Sequence, residues 1–493
     1  MEPIEELRQQ QLKKLEELRR QGIDPFPNDF RVNTTTAEIH RRFQDLPAEE
    51  LEKVKDCFNL AGRIVSIRSF GKAAFFHLQD RKGKIQVYVK KEFVGEEALE
   101  LFSCLDIGDL VGISGIIFRT KTGELTVRAN EIKLLAKSLR PLPEKWHGLR
   151  DVETRYRQRY LDLIANPSVR EIFYKRTKII QLLRQFLDKR DFLEVETPMM
   201  HSIPGGAAAR PFKTHHQALG IDLYLRIAPE LYLKRLLIGG LERVYEINRN
   251  FRNEGLSTIH NPEFTLLEFY QAYATYHDLM NLTEEMLTSI AQEVLGEMKF
   301  SYQGQEIDLT PPWPRLTLLQ AIENYGKAKA EDLLNKENAA RFARKIGLEL
   351  SGKESLAEIQ VGIFDMIVEP RLIQPTFVTH YPREVSPLAR VDEKNPELTE
   401  RFELYIGGLE IANAFCELND PLEQRERFNQ QQERRREFEA DEGLEIDEDF
   451  LCALEYAMPP AAGEGIGIDR LVMIFTDSAS IREVIIFPQL RPK

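Results

Sequence analysis

Apolar positions along the 493-residue chain follow several different patterns, and each pattern marks an element. Over residues 2–21, Ile4, Leu7, Leu15 and Leu18 fall near one helical face, and Gly22 with Pro25 and Pro27 ends the run. Arg8, Lys13, Lys14, Arg19 and Arg20 cover the rest of that helix, as a solvated charged face or as an arm for a phosphate backbone. From 56 to 136 the chain breaks into short β-rich stretches: CFNLAGRIVSIRSF, AAFFHLQD, GKIQVYVK, DLVGISGIIFRT and GELTVRANEIKLL. Turn signals stand at Arg81–Gly83 and Lys121–Gly123, and a helical pattern, EEALELFSCL, separates the third stretch from the fourth. Strands in that order, with one helix inserted there, suit an OB-fold barrel; the pattern alone also fits an SH3-like barrel.

A polar link is expected over 146–168. An amphipathic helix begins at 169, with Val169, Ile172, Phe173, Ile179, Ile180, Leu183, Phe186 and Leu187 at helical spacing, and DFLEVETPMM reads as a short strand ending at Pro198. LERVYEINRNFRN and EFTLLEFYQAY read as strands joined by a polar loop, as do PTFVTHYP and RFELYIGGLEIANAFCEL further on. Residues 276–375 look mainly helical, with a hairpin at MKFSYQGQEIDL. The run LEQRERFNQQQERRREFEA is a charged helix, and GEGIGIDRLVMIF a glycine turn followed by an apolar helix. Strands follow strands without regular βαβ alternation, so this region is a large α+β domain of antiparallel character. The expected division is a helical extension at 1–54, a barrel at 55–145, the link, and a large domain at 169–493 with a helical insertion around 276–375.

Composition narrows the class. Hydrophobic residues at 42% and charged residues at 30% are a soluble globular balance, which excludes a chain that is disordered, collagenous or coiled-coil throughout. No apolar run approaches the ~20 residues that span a bilayer. The start, MEPIEELRQQQ, lacks the apolar stretch of a signal peptide. Cys57, Cys104, Cys416 and Cys452 are scattered with no C-x-x-C, which argues against a disulfide framework or zinc ribbon and fits a reducing cytoplasm. Asn-x-Thr sequons at Asn33 and Asn281 carry little weight there. A net charge of -12 speaks against a histone-like protein but leaves room for a local basic face that binds nucleic acid. There is no P-loop, no H-E-x-x-H and no G-x-S-x-G; Gly463, Gly465 and Gly467 make G-x-G-x-G, not the dinucleotide fingerprint.

Three stretches carry candidate chemistry. FLEVETPMM alone is a helix, a strand and a proline, which usually means packing. Arg252 and Glu254, two apart on an expected strand, share a face and are followed by His260, Asn261 and Phe264. The arginine suits a carboxylate or phosphate and the phenylalanine could stack on a base, although a surface ion pair on a hairpin fits equally. GEGIGIDR combines glycines, which allow close backbone approach, with Arg470 at the start of an apolar helix. Together, with RVYEINRNFRNEGLSTIHNPEFTLLEFYQAYA, FELYIGGLEIANAFCELND, GGAAARPF and LYLRIAPELYLKRLLIGG, these resemble the signature motifs of the class II aminoacyl-tRNA synthetases, most closely those of the bacterial lysyl type. The resemblance runs over essentially the whole chain, and the HIGH and KMSKS motifs of class I are absent.

The resemblance implies a six-stranded antiparallel catalytic sheet, an N-terminal OB-fold that binds an anticodon, and a homodimer built around the first motif. It implies ATP-dependent activation of L-lysine and its transfer to tRNA(Lys), with Mg2+ bridging the phosphates. Arg252 would pair with the α-phosphate and the lysine carboxylate, and Arg470 with the γ-phosphate. Phe264 and Arg470 would sandwich adenine. Glu254, His260 and Asn261 would face the nucleotide, and Glu403 and Glu410 would bind magnesium, Glu403 also serving ATP. Glu268, Tyr270 and Glu417 match positions at the lysine ammonium, Glu230 and Gly206 those at the α-amino group, and Asn413 and Phe415 line the pocket. A buried ammonium needs such acceptors, or desolvation wins. Arg68, Phe75, Gln86 and Glu124 match anticodon contacts, with Phe75 stacking a base. Phe75 and Phe76 point opposite ways, so one of them belongs to the core. The runners-up are an aspartyl- or asparaginyl-tRNA synthetase and a non-catalytic RNA-binding paralogue; a relative that modifies an elongation factor lacks the barrel.

Overall fold

The computed structural model describes residues 3–70, 73–143, 149–207, 209–438 and 445–492. Residues 144–148 around the expected link, Ala208 of GGAAARPF, and the end of the charged helical run at 439–440 lie outside the described residues. The chain divides into two compact units, Met1–Arg150 and Asp151–Lys493.

In the first unit β1 (Phe58–Phe70), β2 (Ala73–Gln79), β3 (Lys84–Lys90), β4 (Leu110–Arg119) and β5 (Leu125–Ala136) close into a barrel in the order β1-β2-β3-β5-β4. Helices at Lys91–Val94 and Glu96–Ser103 fill the gap between β3 and β4. Period-two alternation does the sorting: Ile85, Val87 and Val89 are buried while Gln86 and Tyr88 between them face outward. The fold is an OB-fold rather than the SH3-like alternative. Leu18, Ile39, Phe43 and Leu51 pack into the barrel core, so residues 1–54 do not stand apart as a separate extension. Lys14, on the first helix (Pro3–Arg20), bonds Asp106 beside the barrel at 2.6 Å.

The second unit is α+β. Its strands are β6 (Leu193–Glu194), β7 (Met200–His201), β8 (Phe212–His216), β9 (Ile221–Leu225), β10 (Arg243–Phe251), β11 (Glu263–Ala272), β12 (Lys299–Tyr302), β13 (Gln305–Asp308), β14 (Arg315–Thr317), β15 (Thr376–Thr379), β16 (Arg401–Ile406), β17 (Leu409–Cys416) and β18 (Ala461–Gly467). The main sheet has eight strands, ordered β14-β15-β16-β17-β18-β11-β10-β6. From β15 to β10 every pairing is antiparallel, and short β14 and β6 add parallel edges, so the expected six-stranded sheet is the centre of a wider one. Helices Pro167–Asp188, Tyr276–Leu295 and Ile468–Phe475 bury apolar faces against one side of it.

Four expectations change. The stretch at 151–168 is no link: it forms helices Val152–Arg157 and Arg159–Ala165. Arg159 is fully buried, pairing with Asp162 at 2.6 Å and donating to the carbonyls of Arg482 and Ile486. An arginine can be buried when its N–H groups find acceptors, and the carbonyls among these are over 300 residues away. The helical layer at 276–375 splits, because Tyr276–Leu295 packs into the main core while Leu318, Ile322, Leu333, Ile359 and Phe364 form a core of their own. GEGIG is a strand rather than a turn, with Ala462 and Ile466 on the core side and the glycines on the other. Arg252 and Glu254 follow the end of β10 in a loop, so they do not share a strand face. Among the described residues no helix is long and apolar enough to cross a membrane, and the four cysteines are free.

Candidate active site

A cavity of about 1180 Å³ opens on the sheet face opposite those helices, within the second unit. Its floor is β18, where Gly463, Gly465 and Gly467 alternate toward it. A Cβ at Gly463 would lie within 3.0 Å of both the Tyr270 ring and Glu417 Oε1, so only glycine fits there.

One end collects cations around an aromatic. Arg252 sits with its guanidinium carbon 5.1 Å from the centroid of the Phe264 ring, and its Nε is buried without a hydrogen-bond partner among the described residues. Burial pulls Arg252 below the ordinary arginine value, opposed first by Glu410 and then by Glu254. Arg470 donates to the carbonyl (2.8 Å) and the carboxylate (3.1 Å) of Glu410 and to Nε2 of His260 at 3.0 Å. A guanidinium only donates, so Nε2 accepts and the His260 proton sits on Nδ1, directed at Ser257 Oγ 2.9 Å away. Burial and the Arg470 charge both hold His260 below the usual histidine range. Asp469, next to Arg470, binds Arg176 at 2.6 Å and the backbone N–H of Thr265, next to Phe264, at 2.7 Å. That bridge fixes the helix start against β11. Asn261 is buried, donates to the Glu263 carbonyl at 2.6 Å and keeps an Oδ1 with no hydrogen-bond partner among the described residues; Glu254 lines the same end.

The other end collects carboxylates. Glu230, Glu268 and Glu417 are all buried. Glu268 accepts from Tyr270 Oη at 3.0 Å, and burial, reinforced by the Glu230 charge, pushes its carboxyl up to about 8. Burial also pushes Tyr270 well above its ordinary value and lifts Glu417, the latter opposed by the ammonium of Lys234. Glu417 Oε1 lies buried with no hydrogen-bond partner among the described residues. Burial therefore favours the protonated forms of Glu268 and Glu417 when no cation from a ligand is present. Gly206 comes close to Glu230, and Asn413 and Phe415 complete the wall.

Two expected residues do not line the cavity directly. Glu417 lies behind the floor at Gly463, and Glu403 is held away, its carboxylate taking hydrogen bonds from Tyr381 (2.8 Å), Arg401 and Tyr405. Of the expected metal pair, only Glu410 presents oxygen to the cavity, its side chain 38% exposed.

The family described as tRNA synthetases class II (D, K and N) matches residues 151–491, and that described as OB-fold nucleic acid binding domain matches residues 58–135. The chain belongs to the class II tRNA synthetases. A lysine–tRNA ligase of Pelotomaculum thermopropionicum is 56% identical, the match covering 100% of this chain and 96% of that protein. One from Moorella thermoacetica is 56% identical over 98% and 97% of the two chains, and one from Coxiella burnetii 52% over 100% and 98%.

The barrel of this class II synthetase holds the other expected group of residues. Phe76 is core, against Phe102, and Phe75 lies on the outer face with its centroid 4.7 Å from Tyr88. Arg68 is exposed and pairs across the strands with Phe75; Gln86 donates to Glu124 at 2.7 Å. All four expected residues therefore share one region of the barrel. Sequence reasoning missed Tyr88, Phe118 and Arg128 beside them, although Tyr88 follows from the alternation in KIQVYVK. In the catalytic unit it missed Arg401 and Lys234. A lysine inside the apolar run of LYLKRLL, four residues after Glu230, was the available signal.

Proposed function

We infer that the protein is a lysine–tRNA ligase that forms lysyl-adenylate from L-lysine and ATP and passes lysine to tRNA(Lys). The observation that carries this is the group of buried carboxylates, Glu230 and Glu268 lining the cavity that also holds Arg252, Phe264 and Arg470, and Glu417 set against its floor at Gly463. A cationic side chain satisfies that pocket, whereas an aspartate would add charge of the wrong sign. Lys234, a buried cation beside them, is already held by two of the carboxylates.

In the first step the lysine carboxylate attacks the α-phosphorus and pyrophosphate leaves; in the second a terminal ribose hydroxyl of the tRNA attacks the adenylate carbonyl and AMP leaves. Both partners of the first step are anionic, so positioning and positive charge carry most of the catalysis. Arg252, with its unpartnered Nε, is placed to hold the α-phosphate and the carboxylate, and Arg470 the outer phosphates. Phe264 and Arg470 take the adenine, with Glu254, His260 and Asn261 around the nucleotide. Burial and the Arg470 charge favour the neutral form of His260, which adds a hydrogen bond without a charge. Magnesium, when bound to the phosphates, neutralises their charge. Glu410 suits it as a hard oxygen donor, and Glu403 would have to yield a bond from Arg401 or a tyrosine to join. No group of three or more His, Cys, Asp or Glu among the described residues could hold a metal alone, which fits an ion bound through one or two carboxylates and substrate phosphates.

The barrel face with Phe75, Tyr88, Arg68, Gln86 and Glu124 is the anticodon site of this reading. Exposed Leu193 on the edge strand β6 and exposed Leu241 just before its neighbour β10 support a homodimer. Sedimentation of a fully active monomer at micromolar concentration would remove that part. The decisive test of the activity is pyrophosphate–ATP exchange with each of the twenty amino acids. Lysine alone should stimulate it; stimulation by aspartate or asparagine, or by none, overturns the assignment.

A further inference from the structure

Lys234 has no part in the function described so far. It is fully buried on the helix Glu230–Ile238, one turn after Glu230. Its ammonium donates to Glu230 Oε1 at 2.6 Å, touches Glu417 Oε2 and lies 5.3 Å from the centroid of the Phe415 ring. These two carboxylates come from distant parts of the chain, one at the start of a helix and one just beyond β17, and Lys234 joins them. Each keeps one oxygen for something else. Glu417 Oε1 is buried, unpartnered and pressed against the floor at Gly463; Glu230 Oε2 points toward Gly206, 3.7 Å from where a Cβ would stand. Both glycines line the cavity.

We propose that Lys234 determines specificity by gauging side-chain length: it ties one oxygen of Glu230 to one oxygen of Glu417 and leaves the other oxygen of each to one of the substrate's two ammonium groups. The proposal rests on the lysine reading above. A free lysine carries two cations a fixed number of methylenes apart. Two buried carboxylates repel, and without a shared cation they would separate or take up protons. With the cation between them their spacing is set by two short ionic contacts that cannot loosen cheaply in a dry interior. The spacing then selects a diamino acid of one length. The bridge also holds the local charge. Glu230, Glu268 and Glu417 face one another across the pocket with Tyr270, and Arg226 and Arg252 add weaker positive fields. Lys234 supplies one positive charge to these three carboxyls, and the two ammonium groups of the substrate supply the others that let them ionise.

The test uses the full chain in lysine- and ornithine-dependent pyrophosphate–ATP exchange at saturating ATP. Lys234→Met keeps most of the volume and removes the cation; Lys234→Arg keeps the cation and changes its reach. For Lys234→Met, lysine KM should rise about 100-fold, the size expected when a buried pair loses a partner. kcat should fall far less, ATP KM should hold, and the lysine-to-ornithine ratio of kcat/KM should shrink at least about tenfold. The acidic limb of lysine kcat/KM should move to higher pH, because Glu417 loses the charge that favours its ionised form. In Lys234→Arg that limb should stay in place while the length ratio still shrinks. An unchanged lysine-to-ornithine ratio in the variants, whatever the KM, would overturn the gauge and leave Lys234 a structural counter-ion. If the methionine variant fails to fold, the arginine variant alone decides through the same ratio. Absence of lysine-dependent exchange in the wild type would instead sink the functional reading itself.

Discussion

The barrel face and the cavity of the catalytic unit use similar residues in opposite surroundings. On the barrel, Glu124 and His77 have side chains 47% and 36% exposed, and Gln86 and Glu124 bond each other in contact with water. In the cavity Glu268 is 5% exposed and Glu417 2%. The difference teaches how each surface recognises its partner. An exposed aromatic platform gains by stacking, tolerates the loss of one contact and gives modest, separable effects. A buried charged pocket works through desolvation, so its groups act on one another and a single change is felt throughout.

The largest expected break in that contrast is Glu268→Gln. It keeps the shape and removes a charge, so lysine KM should rise about 100- to 1000-fold while ATP KM holds. Exchange kinetics check it, and an unchanged lysine KM would remove Glu268 from the ammonium site. Next is Gly463→Ala. The added methyl collides with Tyr270 and Glu417, so lysine-dependent exchange should drop about 10- to 100-fold. Filter binding of tRNA by the same variant should stay within about threefold; a matching loss there would mean that the units are not energetically separate.

The pH dependence sharpens the comparison. Burial pushes the Glu268 carboxyl up to about 8 in the ligand-free protein, and on the proposed reading the lysine ammonium needs its ionised form. Lysine KM should therefore fall about tenfold as pH rises from 6 to 7, level off above 8, and rise again near 10 as the substrate ammonium deprotonates. A flat KM from pH 6 to 8 would contradict the burial argument. The smallest effect belongs to the barrel: Phe75→Ala should raise the tRNA KM in charging about fivefold, at the low end for a stacked base because Phe75 already leans on Tyr88. Lysine activation should not change, and equal loss in both assays would mark Phe75 as a folding residue.

Local pattern determined much of this protein. Alternation in KIQVYVK placed Ile85, Val87 and Val89 inside and Gln86 outside, and the helical spacing from Val169 to Leu187 marked the buried face of Pro167–Asp188. Such periods are legible because the geometry of one element sets them. Motif resemblance supplied the candidates at the cavity, and the structure gathers most of them there. Only the tertiary structure decided which charges meet. Arg159 lies in a polar stretch, yet it is buried because Arg482 and Ile486 bring it carbonyls from the far end of the chain. GEGIG reads as a turn by its glycines, yet it is a central strand, since neighbours β11 and β17 supply its hydrogen bonds and Tyr270 and Glu417 claim the space a side chain would need. Glu403 and Glu410 look equivalent in RFELYIGGLE, but one faces Arg401 and two tyrosines and the other the cavity. Lys234 and Glu417 are 183 positions apart and in contact. A period records which way a side chain points relative to its own element; what waits there is set by other elements, and for buried charges that partner is most of the energy.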